Sequence, residues 1–270
     1  MIEMFSYQFM QRALMAGVII AIICSLISFF IILRRLSFIG VGIAHSAFGG
    51  VALGGLLNIN IFITAIIFSV TMALGTGYFS RRGKINEDTI IGMFFSFTMA
   101  LGILFVGLSS GYNEDLFGYL FGSILSVSNQ DLVIISSLAV AVLLVLWLFF
   151  KEFLFISFDE EAAILNGIPA TLLYYVLLLL IAITVVISIK IVGIILISAL
   201  LVIPAAASQQ LTDNYRTMLL LSVITGIVSV FSGLALSFVF NLPSGATIVI
   251  VATIIFFACF IFSPKRRRTA

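Results

Sequence analysis

The sequence predicts an all-α, polytopic membrane protein, and three observations carry that prediction. Of its 270 residues 63% are hydrophobic and only 9% are charged, against about 25% charged in a soluble domain. Mean hydropathy is +1.33, and uncharged runs of the roughly 20 residues that cross a bilayer recur from one end of the chain to the other. Lysine and arginine gather in the short segments between those runs, the pattern that marks a cytoplasmic membrane face. The expected architecture is one transmembrane domain over residues 1–270. It has about nine transmembrane helices (eight to ten), a short re-entrant helix and a short cytoplasmic surface helix. The two cysteines, Cys24 and Cys259, lie inside apolar runs without disulfide or metal spacing and read as small buried hydrophobes.

The first apolar run, Ala13 to Leu33, has no small-residue cleavage site after it and reads as a retained span, closed by Arg34 and Arg35. A helix rich in small residues follows over about 38–57, and Asn58-Ile59-Asn60 turns the chain into a third run, Ile61 to Phe79. Arg81-Arg82-Gly83-Lys84 ends that run, and Asn86-Glu87-Asp88 is placed to cap the fourth, Thr89 to Leu108. Leu116 to Val127 is apolar but too short to span, so it is expected to enter the membrane and return. Asp131 is placed to cap the next run, Leu132 to Phe150.

Residues 157–168 carry the signals of a soluble helix. Ser157 and Glu160 stand at capping-box spacing, acidic residues fill the first turn, Gly167 is placed to end the helix and Pro169 forbids its continuation. Beyond it, Leu172–Ile189 and Ile191–Ala207 are separated only by Lys190 and are expected to form a tight hairpin. Thr217 to Phe240, the turn Asn241 to Gly245, Ala246 to Phe262 and a basic tail over 264–270 complete the chain. With Arg34 and Arg35 cytoplasmic, nine spans put Arg81, Arg82, Lys84, Lys151, Arg216 and the basic tail on the same side, leaving Arg12 and Lys190 outside.

The only histidine, His45, lies in the small-residue helix, where Gly42, Ser46, Gly50 and Gly54 recur every fourth position and allow close approach of another backbone. An ionisable group at mid-depth of a span is by default a functional site. The alternative is a neutral imidazole bonded to a neighbouring helix. No phosphate-binding glycine loop is present, and a lone histidine without an intramembrane acid does not support a metalloprotease or a proton-driven transporter. The energy source for transport is therefore expected in a partner, and the surface helix is a place where a partner would push.

Five ordered motifs resemble the membrane permease of ABC importers for zinc, manganese and related divalent metals. They are Arg34-Arg35-Leu36-Ser37-Phe38-Ile39-Gly40 with Ala44-His45-Ser46, Glu87 to Gly92, Leu120 to Leu125, Val192-Gly193 with Ala199 to Ala206, and Leu242 to Ala246. The likeness runs from about residue 5 to 262. Glu161-Ala162-Ala163 followed by Gly167 resembles the coupling-helix signature of such permeases. The resemblance implies a homodimer of permeases in the cytoplasmic membrane, a cytoplasmic ATPase subunit that uses ATP and magnesium, and an extracytoplasmic metal-binding protein. It implies no cofactor bound by this chain, no catalytic residue, no nucleic-acid partner, and lipid as the surrounding medium.

The chain departs from that family at one position. The family usually has an aspartate four residues before its signature histidine, where this chain has Val41. His45 is then left as a single expected ligand in the translocation path for a zinc, manganese or iron ion, or for a chelated metal or other small solute. An ATPase-independent secondary transporter is the remaining alternative from another class.

Overall fold

The computed structural model describes residues 7–109 and 124–264. These are helices throughout, apart from turns and one 3-10 turn at Ile124–Ser126. In chain order they are α1 (Gln8–Leu33), α2 (Ile39–Leu57), α3 (Ile61–Gly83), α4 (Glu87–Leu108), α5 (Asn129–Leu148), α6 (Phe150–Phe158), α7 (Glu160–Leu165), α8 (Ala170–Leu200), α9 (Ile203–Leu211), α10 (Tyr215–Phe240) and α11 (Ser244–Ile261). The re-entrant segment expected over 116–127 and the basic tail fall largely outside the described residues.

Eight helical stretches are long and apolar enough to cross a membrane, by length and composition; α8 and α9 together count as one of 42 residues. At 1.5 Å per residue that stretch is roughly 60 Å long, twice the ~30 Å hydrocarbon thickness. Eight stretches thus hold the length of nine crossings. No turn forms at Lys190, where a tight hairpin was expected: Lys190 is helical, and the helix is interrupted three residues later by a kink at Gly193 (φ 80°, ψ 168°). Glycine tolerates that conformation because no Cβ opposes it.

The described residues form two compact units, with the chain passing from one to the other inside α1, α5 and α8. The first holds residues 7–32, 124–143 and 191–264. In it α10 runs antiparallel to α1, with Ser222 Oγ donating to the Ser25 carbonyl (3.0 Å) and Gly17 lying against Val230. It is also antiparallel to α11, where Gly233 lies against Ile248. The first and last helices are therefore parallel, which an odd number of crossings requires. A break at Leu201–Val202 separates α8 from α9 and frees backbone groups that Ser28 meets. Its hydroxyl donates to the Val202 carbonyl and accepts from the Ala205 amide.

The second unit holds residues 33–109 and 144–190. There α2 packs between α3, antiparallel to it, and α4, parallel to it. A Cβ on Gly50 would collide with the Thr64 carbonyl of α3, and one on Gly49 would lie 2.7 Å from the Thr98 carbonyl of α4. Backbones approach this closely only where side chains are absent. Asn60 caps α3 by accepting from the Phe62 and Ile63 amides. Asn86 occupies the cap position of α4, but its side chain makes no capping bond.

Two capping assignments differ from the sequence reading. Ser128 caps α5, and Asp131 reaches back to the Ser128 amide (3.2 Å) and hydroxyl (2.6 Å), so Asp131 closes a capping box and is not the cap itself. Ser157 belongs to α6, where its hydroxyl donates to the Phe153 carbonyl. The cap of α7 is Asp159, which accepts from the Ala162 amide at 2.9 Å.

Candidate functional site

His45 lies on α2, in the second unit. Its ring meets the Phe95 ring of α4 edge-on, with centroids 4.8 Å apart and planes at 90°. Nδ1 is buried and has no hydrogen-bond partner among the described residues. The alternative of an imidazole bonded to a neighbouring helix through Nδ1 is thus not what the structure shows. One turn earlier, Val41 lines a groove of about 420 Å³ between α2 and α4, together with Phe38, Gly42, Asp88, Ile91 and Phe95. The groove is apolar apart from Asp88 in the first turn of α4. Ser46, the nearest other donor on the helix, shares a 3.0 Å hydrogen bond with Thr98 and is committed to helix packing. No group of three or more His, Cys, Asp or Glu side chains able to hold a metal is found among the described residues.

The surface helix is α7. Ala163 is buried and Ala162 half-buried, whereas Glu161 and Gly167 are exposed. The outer face also carries Ile164 and Leu165, the latter 87% exposed. Gly167 has φ +79° and ends the helix: its amide donates to the Ile164 carbonyl and that of Ile168 to the Ala163 carbonyl, both at 3.0 Å. That pair of bonds is the Schellman closure, which needs a left-handed residue at its turn. A Cβ at Gly167 would meet no atom within 4 Å, so the backbone conformation, not space, excludes a side chain there.

A charged cluster beneath α7 was not foreseen from the sequence. The Glu160 carboxylate accepts from Arg34 Nη2 on Oε2 at 2.7 Å and from Arg81 Nη2 on Oε1 at 2.5 Å. Arg34 also donates to the Ile156 carbonyl, and Arg81 to the Thr171 hydroxyl. Both guanidinium groups lie over the Tyr174 ring, 4.6 and 4.5 Å from its centroid. The Tyr174 hydroxyl donates to Glu87 Oε1. Partial burial alone would raise the Glu160 carboxyl, but the two arginines outweigh it and hold the group below the ordinary carboxylate range. The available signal was the sign of the charges: Arg34, Arg81 and Glu160 are all expected on one membrane face.

Comparison with known proteins follows the same outline. The family described as "ABC 3 transport family" matches residues 6–263. The manganese transport system membrane protein MntC of Listeria monocytogenes is 40% identical over 260 residues, covering 96% of this chain and 92% of that protein. The manganese import system permease protein ScaB of Streptococcus gordonii is 36% identical, covering 97% and 94%. Among solved structures, PsaBC from Streptococcus pneumoniae in complex with Fab superposes with a TM-score of 0.86 at 36% identity, over 99% of this chain and 98% of that one.

Proposed function

The chain belongs to the ABC 3 transport family, and from that membership we propose that it is the permease subunit of an importer that brings a divalent metal ion across the cytoplasmic membrane. The observation that carries the reading is near-full-length identity of 36–40% to permeases named for manganese transport and import. The chain is a multi-pass membrane protein with the span content such a subunit needs. Its chemistry is translocation; ATP and magnesium are used by a separate cytoplasmic subunit. The working assembly is two permeases and two ATPases, with a metal-delivering protein outside.

In this reading α7 docks on the ATPase through its exposed face, where Glu161, Ile164 and Leu165 point away from the permease. His45 is the translocation-path ligand, since its buried Nδ1 has no hydrogen-bond partner among the described residues and a metal binds the neutral imidazole. One nitrogen ligand binds weakly, as a site that must release its cargo requires.

Val41 favours a second reading. Without a carboxylate one turn from His45, the groove beside that helix carries Asp88 as its one charged side chain and is otherwise apolar, which suits a chelated metal or other small solute. The two readings separate on what the partner binding protein retains after purification. Manganese, zinc or iron as a bare ion supports the first. An organic chelate overturns it in favour of the second.

A further inference from the structure

Helix α7 has six residues, and Ala163 is its only buried one. A helix this short is not stable on its own, so its position depends on what anchors it. Glu160, its first residue, is held on both carboxylate oxygens by Arg34 and Arg81. The side chains are mostly withdrawn from water, at 11% exposed for Arg34, 28% for Arg81 and 30% for Glu160. Charge-assisted bonds of this length in a shared network hold geometry more firmly than an isolated surface ion pair.

The partners of Glu160 stand at the ends of helices. Arg34 lies in the joint between α1 and α2, and Arg81 in the last turn of α3. Tyr174, which both guanidinium groups cover, is near the start of α8, and Glu87, which accepts a hydrogen bond from its hydroxyl, is the first residue of α4. One carboxylate thus ties α7 to the ends of the helices that surround His45. Farther in, α2 packs against α3 and α4 at glycines that leave no slack between backbones. A displacement of α2 is therefore shared with α3 and α4 and does not dissipate in loose side-chain packing.

We infer that Glu160 is the positioning residue that carries a displacement of α7 to α2, the helix of His45, through Arg34, and to α3 through Arg81. This rests on the reading of α7 as the docking helix. Glu161 and Leu165 face the partner; Glu160 faces inward and transmits. Without its charge, α7 still docks, but the two guanidinium groups no longer share a counter-ion and the helix ends move independently of it.

The test uses the complete importer, permease with ATPase subunit and binding protein, reconstituted in lipid vesicles. Manganese is the probe, and manganese moved per ATP hydrolysed is the readout. Glu160→Gln is expected to keep co-purification with the ATPase and hydrolysis within about twofold of the parent, while the transport ratio falls at least fivefold. Glu160→Asp, which keeps the charge, is expected to recover part of that loss. Arg34→Lys is the second variant, with the same direction expected. An unchanged ratio in Glu160→Gln overturns the inference, as does loss of co-purification. Failure of both Glu160→Gln and Arg34→Lys to accumulate as folded protein assigns the cluster to folding alone and also overturns it. Leu165→Asp separates this inference from the reading beneath it. If Leu165→Asp abolishes association with the ATPase while Glu160→Gln transports normally, only the transmission role fails. If Leu165→Asp associates and transports normally, the docking assignment of α7 fails as well.

Discussion

Glu160 and Arg34 are 126 positions apart in the chain and 2.7 Å apart in the structure. That ion pair joins the surface helix to the joint between α1 and α2, the helix that carries the only histidine.

The pair has a pH signature. The Glu160 carboxyl is held below its ordinary range, so its contribution to stability is present at neutral pH and is lost as pH falls through the folded-state value. Glu160→Gln is expected to lower the thermal midpoint of the detergent-purified permease by about 2–4 °C at pH 7, as a partly exposed pair would. The gap between the two proteins should narrow as pH drops below about 4. A gap that widens on acidification would contradict the assignment.

Gly167 tests the surface helix from its other end. A valine at φ +79° is strained by about 1–2 kcal/mol. With open space around the position, the cost falls on the end of α7 and not on packing. Gly167→Val is expected to remain folded in membranes and to weaken ATPase association or uncouple hydrolysis from uptake. Ligand-stimulated hydrolysis and uptake at parental levels would show that the end of α7 plays no part in coupling.

Topology provides a third check. Single cysteines at Lys84, Glu160 and Arg267, on a cysteine-free background, are expected to be shielded from an impermeant thiol reagent in sealed cells. Cysteines at Asn113 and Ser244 are expected to react. Labelling from outside at position 160 would invert the orientation and remove α7 from the cytoplasm.

For His45, the prediction is loss of transport without loss of fold. Its ring touches Phe95, but Nδ1 has no hydrogen-bond partner among the described residues, so His45→Asn is expected to keep membrane abundance and ATPase association. Metal uptake should fall about tenfold or more, equivalent to about 1.4 kcal/mol of lost transition-state stabilisation. Val41→Asp places a carboxylate in the groove one turn away and is expected to change metal preference or slow release. Parental uptake and preference in His45→Asn would reduce the residue to packing.

Most of the helical layout was legible because a span is written locally: some twenty apolar residues in a row need no partner to be recognised. Tertiary contacts were less legible. Capping-box spacing occurs at Ser157/Glu160 and again at Ser128/Asp131, and spacing cannot choose between them. Only the second forms, because Glu160 has two arginines, brought in from 79 and 126 positions away, as stronger partners than a backbone amide. The hairpin was placed at Lys190 because charge marks a loop in an apolar run, yet a glycine three residues later supplies the conformation that breaks the helix. At the candidate site, His45 stood out as a lone imidazole in a span. Phe95 and Asp88 did not, since the side of α4 that faces α2 is set by packing and not by any local pattern.

In the proposed function, this chain moves a divalent metal only when a partner hydrolyses ATP. Its most direct test is the initial rate of radiolabelled manganese uptake into vesicles that hold the permease, its ATPase subunit and the binding protein, with and without ATP. Uptake is expected in the complete, ATP-supplied vesicles, and background rates when ATP or the ATPase is omitted. Uptake by the permease alone at the rate of the complete system would contradict it.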